Sequence, residues 1–210
     1  MNFPLTLTFL LVAAYLLGSI PFGIFMTKLF GGSDIRRAGS GNIGATNVAR
    51  VVGPFAGVLT LLLDAAKGFF AVWLAARWMH GEALAMVLAG LFAMLGHCFP
   101  VWLRFRGGKG VATAAGAFLA LCPAAMLAAF ILFLLVVGFW RYVSLASIAA
   151  AAALPLLIYL LWAPHFAPPQ SVTLISLAIA VLVIYQHRGN IGRLTRGEEP
   201  KFSFSRKDPA

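Results

Sequence analysis

The sequence predicts an all-α integral membrane protein with seven transmembrane helices, one pair of them short and broken near Pro123. Three observations predict it. Of 210 residues, 61% are apolar and only 10% are charged, where a soluble domain carries about 25% charged residues. Residues 1–27, 110–140 and 142–187 contain no Asp, Glu, Lys or Arg, and uncharged apolar runs of ~18 residues or more read as membrane spans. The cations fall almost wholly on one side of the topology that these runs define. A soluble globular domain and a disordered chain are therefore excluded. Nucleic-acid binding is not expected despite the formal net charge of +10.

A helix rises about 1.5 Å per residue, so about 20 residues cross ~30 Å of hydrocarbon. Residues 4–26 make the first span. Met1-Asn2-Phe3-Pro4 is not a basic n-region and the apolar run is too long for a signal h-region, so no cleaved signal is expected. Residues 51–76 make the second span, interrupted by Asp64 and Lys67, and residues 83–103 the third. The run 110–140 is long for one crossing and short for two. Pro123 divides it, and proline inside a helix removes a hydrogen bond and breaks or kinks it. Residues 143–161 and 171–186 follow, separated by a stretch holding Pro164, Pro168 and Pro169.

Charge decides between one kinked crossing and a hairpin at Pro123. With a hairpin, Lys28, Arg36, Arg37, Arg50, Arg104, Arg106, Lys109, Arg141, Arg188, Arg193, Arg196, Lys201, Arg206 and Lys207 share one side. Arg77 stands alone on the other and Lys67 lies in a span. The positive-inside rule favours that split. The N-terminus is then outside and the C-terminus cytoplasmic, with a short tail from about 188 to 210. The half-helix 111–121 does not reach fully across, which is tolerated where it lines a cavity enclosed by protein. No tandem or inverted repeat is evident, so 1–210 reads as a single domain. Cys98 and Cys122 lie in apolar runs without metal-ligand spacing and read as small core or lipid-facing residues. No metal and no cofactor is expected.

This topology gathers three unusual segments at one face. The first runs from Arg36 to Arg50 through Ser40-Gly41-Asn42-Ile43-Gly44-Ala45-Thr46-Asn47. The second is Arg104-Phe105-Arg106-Gly107-Gly108-Lys109-Gly110. The third is His187-Arg188-Gly189-Asn190-Ile191-Gly192-Arg193. Glycines let backbone N–H groups approach an anion, a following helix N-terminus adds a positive dipole end, and Arg and Lys add charge. Together the segments suggest one phosphate-holding pocket. Membrane orientation alone needs Lys and Arg, but not Ser-Gly-Asn or Gly-Gly-Lys-Gly.

Familiar motifs fail their context. Gly39–Gly44 matches GxGxxG, but no strand precedes it and Asp64 lies inside a span. Gly107–Gly110 lacks Walker A spacing, and neither an HxxxxD pair nor a GxSxG elbow exists. Asp34, Asp64 and Asp208 are too scattered for a two-metal site. Asp64 and Lys67, three apart on a helix, read as a structural ion pair. His97 reads as an interhelical hydrogen-bonding group, and His80 and His165 belong to outer loops. His187 closes a span and opens the third segment, where an imidazole titrates near neutral pH.

Ser40 to Asn47 with Arg50, Gly107-Gly108-Lys109-Gly110-Val111-Ala112-Thr113, and His187 with Asn190-Ile191, Arg193-Leu194, Gly197 and Glu199 resemble the three motifs of a known family. These are the bacterial acyl-phosphate-dependent glycerol-3-phosphate acyltransferases, the PlsY family. Gly18-Ser19-Ile20-Pro21, Asp64 with Lys67-Gly68, and Gly96-His97 with Phe99-Pro100 extend the resemblance over residues 18–199. It implies a multi-pass enzyme of the bacterial inner membrane, with its active site on the cytoplasmic side, in phospholipid biosynthesis. Such an enzyme moves an acyl group from acyl phosphate to the 1-hydroxyl of glycerol 3-phosphate, giving lysophosphatidic acid and inorganic phosphate. Its partners are those two substrates and the bilayer.

The resemblance also implies that Ser40 and Arg50 are essential, that Gly107, Gly108, Lys109 and Gly110 bind phosphate, that His187 and Asn190 belong to the active site, and that Glu199 is structural. Asn42, Gly44, Thr46 and Asn47 are expected to bind substrate, and Arg141 and Ser144, at the inner end of a span, to contact phosphate. Either His187 or a substrate phosphate oxygen is the base. The competing reading is an organic-anion or phosphate transporter, which calls for functional groups near the midplane or pseudo-symmetric halves.

Overall fold

The computed structural model describes residues 3–162 and 168–202. Met1, Asn2, Pro164, His165, Arg206, Lys207 and Asp208 lie outside the described residues. The described chain is helical, in the order α1 (Phe3–Gly18), α2 (Phe22–Leu29), α3 (Ala45–Val52), α4 (Pro54–Trp78), α5 (Ala83–Cys98), α6 (Val111–Leu121), α7 (Pro123–Trp140), α8 (Val143–Leu161), α9 (Gln170–Gln186) and α10 (Arg188–Thr195).

Among the described residues, five apolar helical stretches are long enough to cross a membrane: Phe3–Leu29, Pro54–Trp78, Ala83–Leu103, Pro123–Trp140 and Val143–Leu161. A sixth is added only if α9 and α10, bent by 56° at their junction, are taken as one span. The first stretch is interrupted between Gly18 and Phe22, where Pro21 has no N–H to continue the ladder. Helix α6, with 11 residues, is only ~16 Å long and cannot cross by itself.

Packing is inverted relative to a soluble domain. Alanines fill much of the interior, including Ala75, Ala93, Ala125 and Ala146, whereas Leu5, Leu29, Phe55 and Phe139 point outward. Large apolar residues have nothing to gain from burial when lipid surrounds them, so close helix approach by small residues stabilises the bundle instead. Helices α4 and α6 show this reciprocally. A Cβ on Gly68 would run into the Thr113 carbonyl, and a Cβ on Gly116 into the Ala65 carbonyl.

The run 110–140 turns back on itself. At its middle, Cys122 Sγ lies 3.7 Å from the Leu161 carbonyl at the end of α8. At its ends, Lys109 and Gly110 line the same cleft as Val143 and Ser144. Proline at the first position of α7 explains the sharp break, because its missing N–H costs nothing there. Cys98 and Cys122 are both buried.

Candidate active site

The first segment is built around one amide. Asn47, buried at the start of α3, accepts from Ser40 N at 2.8 Å and donates to the carbonyls of Ile35, Ala38 and Asn42 at 3.3, 3.0 and 2.9 Å. Asn42 Oδ1 accepts from Gly44 N at 2.8 Å, which shapes the entry to α3. Asp34 caps the short 3-10 turn Ile35–Arg37 and pairs with Arg36 at 2.7 Å. Hydrogen bonds from the Arg36 side chain and backbone hold its carboxyl down to about 2. Ser40 and Arg50 keep their exposure while this scaffold fixes their backbone.

The second segment hangs from the end of α5. Gly107 N donates to Cys98 O and Gly108 N to His97 O, both at 3.0 Å. A Cβ on Gly108 would collide with the His97 imidazole, so only glycine fits. Gly110, at φ +79, turns the chain into α6, whose first N–H groups have no side-chain cap. Between them Lys109 Nζ donates to Asn190 Oδ1. Burial pushes the Lys109 ammonium down to about 8, Arg193 and Arg50 add to that push, and Glu199 opposes it.

The third segment closes the ring. His187 is buried at the bend between α9 and α10, with Nδ1 2.8 Å from the Val183 carbonyl. A carbonyl only accepts, so Nδ1 is assigned the proton and Nε2 is left as the acceptor. Burial first, and the Lys109 charge second, push the imidazole down to about 4. Asn190 Nδ2 donates to Glu199 Oε1 at 2.6 Å and Arg193 Nε to Glu199 Oε2 at 2.7 Å. Burial raises the Glu199 carboxyl, but Ser144, Asn190 and Arg193 outweigh it and hold it below the ordinary value. Its neighbour Glu198 faces solvent and pairs with Arg196 at 2.7 Å.

These segments enclose a cleft of about 160 Å³. Of the expected residues, Ser40, Asn42, Gly44, Thr46, Asn47, Arg50, Lys109, Gly110, Ser144, His187, Asn190 and Glu199 line it. Gly107, Gly108 and Arg141 are not in its wall. The two glycines pack on His97, and the Arg141 guanidinium donates to the Phe202 carbonyl at 3.2 Å. Asp64 and His97, read from the sequence as structural, also reach the cleft. Asp64 pairs with Lys67 at 2.9 Å and stands 3.6 Å from His97 Nδ1, while Lys67 donates to Ile20 O at 3.0 Å across the break in the first span. The sequence reading missed Ser147 and Pro200 in the wall. Ser147 was findable, because it lies three residues after Ser144 and shares its helix face.

A second cavity adjoins the first. It measures about 300 Å³ and runs between α4, α6, α7, α8 and α9, walled by apolar side chains such as Leu62, Ala115, Met126, Phe130 and Leu154. Leu61, Val111, Ala112, Phe133 and Ser147 line both cavities, so the polar cleft opens directly into the apolar groove.

A polar cleft lined by Arg50, Lys109 and Asn190 thus opens into an apolar groove within a bundle of membrane-crossing helices. A family model described as glycerol-3-phosphate acyltransferase matches residues 8–197. The glycerol-3-phosphate acyltransferase of Syntrophotalea carbinolica is 51% identical over 194 residues, covering 92% of this chain and 96% of that one. The protein of the same name from Jannaschia sp. is 51% identical over 188 residues, covering 90% and 89%. The crystal structure of PlsY (YgiH), an integral membrane glycerol 3-phosphate acyltransferase in its glycerol 3-phosphate form, superposes with a TM-score of 0.87. It is 42% identical and covers 94% of this chain and 96% of that one. Its lysophosphatidic acid form gives a TM-score of 0.85 at 41% identity. The chain belongs to the glycerol-3-phosphate acyltransferase family. It is an acyltransferase of phospholipid biosynthesis and a multi-pass membrane protein, which decides against the transporter reading.

Proposed function

We propose that this protein transfers an acyl group from acyl phosphate to the 1-hydroxyl of glycerol 3-phosphate, releasing lysophosphatidic acid and inorganic phosphate. The observation that carries this reading is the join between the cationic cleft and the apolar groove. A water-soluble dianion fits the first and a lipid tail the second, so the reacting carbonyl sits at their boundary. The related structures in glycerol 3-phosphate and lysophosphatidic acid forms support the acceptor and the product.

Lys109 and Arg50 neutralise phosphate charge, and the N–H groups opening α6 add a positive dipole end. The Ser40, Asn42 and Thr46 side chains orient the substrates by hydrogen bonding, Ser144 does so from the start of α8, and Gly44, whose N–H is taken by Asn42, lines the cleft beside them. The glycerol oxygen attacks the acyl carbon, the bond to phosphate breaks, and phosphate leaves with the electron pair. Phosphate is a good leaving group, so positioning and charge stabilisation carry the step. The attacking hydroxyl donates its proton to a substrate phosphate oxygen, and His187 Nε2 accepts from the neighbouring glycerol hydroxyl. An imidazole held at about 4 is a weak base, whereas a phosphate monoester ionises near ~6. The proton therefore ends on a substrate phosphate oxygen. Asn190 holds Lys109, and Glu199 holds Asn190.

The reading extends to topology. The chain is one domain of seven helical membrane segments, α6 being the short one, in the bacterial inner membrane. The N-terminus is outside and the cleft, with its Arg and Lys residues, faces the cytoplasm. The test uses purified protein in detergent with acyl phosphate and labelled glycerol 3-phosphate. Labelled lysophosphatidic acid and one phosphate per turnover are expected, with loss of turnover in Ser40→Ala and Arg50→Ala. Acylation only from acyl-CoA, or turnover indifferent to both substitutions, would sink the proposal.

A further inference from the structure

We infer that Arg141 is a positioning residue that anchors the chain beyond α10 along the cleft and so sets Glu199 against Asn190 and Lys109. This rests on the reading of Lys109 and Asn190 as parts of the substrate site.

Arg141 ends α7 at φ +62, a left-handed conformation that turns the chain directly into α8. Three hydrogen bonds join it to Phe202, 61 positions away. Phe202 N donates to the Arg141 carbonyl at 2.6 Å, and Arg141 Nε and Nη2 donate to the Phe202 carbonyl at 3.3 and 3.2 Å. Beside this anchor, the Lys201 ammonium lies 5.8 Å from the centre of the Tyr142 ring. At the other end of the segment, Gly197 turns at φ +70 and Glu198 N donates to Arg193 O at 2.8 Å. The stretch 197–202 is thus pinned at both ends, and Glu199 and Pro200, between the pins, line the cleft. From there a hydrogen-bonded chain runs from Glu199 to Asn190 and from Asn190 to Lys109.

A cation outside the cleft wall therefore controls one inside it. Lys109 is faced by Glu199 from the segment, Arg193 from α10, Arg50 from α3 and His187 from the end of α9. Asp64 and His97 line the same cleft. Glu199 holds the ammonium charged against Arg193 and Arg50. Releasing the anchor weakens that hold, so Lys109 loses its proton at a lower pH.

The test compares Arg141→Ala, Arg141→Lys and a chain ending at Pro200 with the wild type. Arg141→Ala and the shortened chain should each raise the KM for glycerol 3-phosphate about tenfold, the factor one charged hydrogen bond carries, with kcat little changed. The alkaline limb of kcat/KM should move to lower pH in both, and Arg141→Lys should recover part of each effect. If Arg141 instead touches substrate phosphate, Arg141→Ala raises KM, the limb stays and the shortened chain behaves as wild type. That result overturns the inference. Trypsin cleavage after Arg196 should also quicken in Arg141→Ala, and an unchanged rate overturns it equally. A wild-type enzyme that makes no lysophosphatidic acid would count against the proposed function instead, and the cleavage rate would still judge the anchor.

Discussion

The ammonium of Lys109 donates to Oδ1 of Asn190, 81 residues further along the chain. This bond joins the glycine segment before α6 to helix α10. It orients the cation toward the cleft, because one of its three donor positions is taken by the amide.

Lys109 therefore carries a pH signature. Its ammonium loses its proton at about 8, so phosphate binding is complete below that value and fades above it. An alkaline limb near 8 in kcat/KM is expected. In Lys109→Arg the limb should disappear, because a guanidinium stays charged past pH ~12. Residual activity should still drop roughly tenfold or more, because a rigid planar fork does not fit the place of a compact ammonium beside Asn190. A limb unmoved by this substitution would show that another group titrates.

His187 should leave no limb in the neutral range. Its imidazole is pushed down to about 4, so it is uncharged throughout pH 6–8. The unfolded chain takes up this proton near the ordinary value of 6.5. The folded chain resists until about 4, so stability falls as pH drops between the two. His187→Gln should lower kcat while the acid limb of kcat/KM stays at the substrate phosphate's own ionisation. A limb that shifts with the substitution would make His187 the base.

Asn47 should tolerate no change of hydrogen-bonding sense. Its amide donates to three carbonyls, and Asn47→Asp confronts them with an acceptor. Each buried partner left unpaired costs about 1–3 kcal/mol. Thermal unfolding in detergent should show a clear drop in midpoint together with loss of turnover. Asn42→Ala, which removes a single bond to Gly44, should lower the midpoint much less.

Asp64 and Lys67 should behave as a coupled pair. Both are buried and 2.9 Å apart. Removing either charge leaves the other unpaired, at a cost of about 3–5 kcal/mol. Asp64→Asn with Lys67→Met should cost less than the sum of the single changes. A double-mutant cycle on unfolding midpoints measures this, and additive effects would refute the coupling.

Much of this protein is legible from its chain alone. Hydropathy and charge are local properties, so the spans, the interruption at Pro123 and the three polar segments can be read residue by residue. The motifs from Ser40 to Glu199 even point to the family. Choice of partner is another matter. Arg141 reads as a phosphate contact but binds the Phe202 carbonyl. Asn47 reads as a substrate ligand but spends its amide on its own loop. Asp64 and His97 read as helix glue but reach the cleft. The apolar groove needs five helices at once and has no signature in any of them. The physical reason is range. A span is specified by ~20 consecutive side chains facing lipid. A hydrogen bond between residues 61 or 81 positions apart depends on where small residues let helices approach. Only the packed bundle decides that.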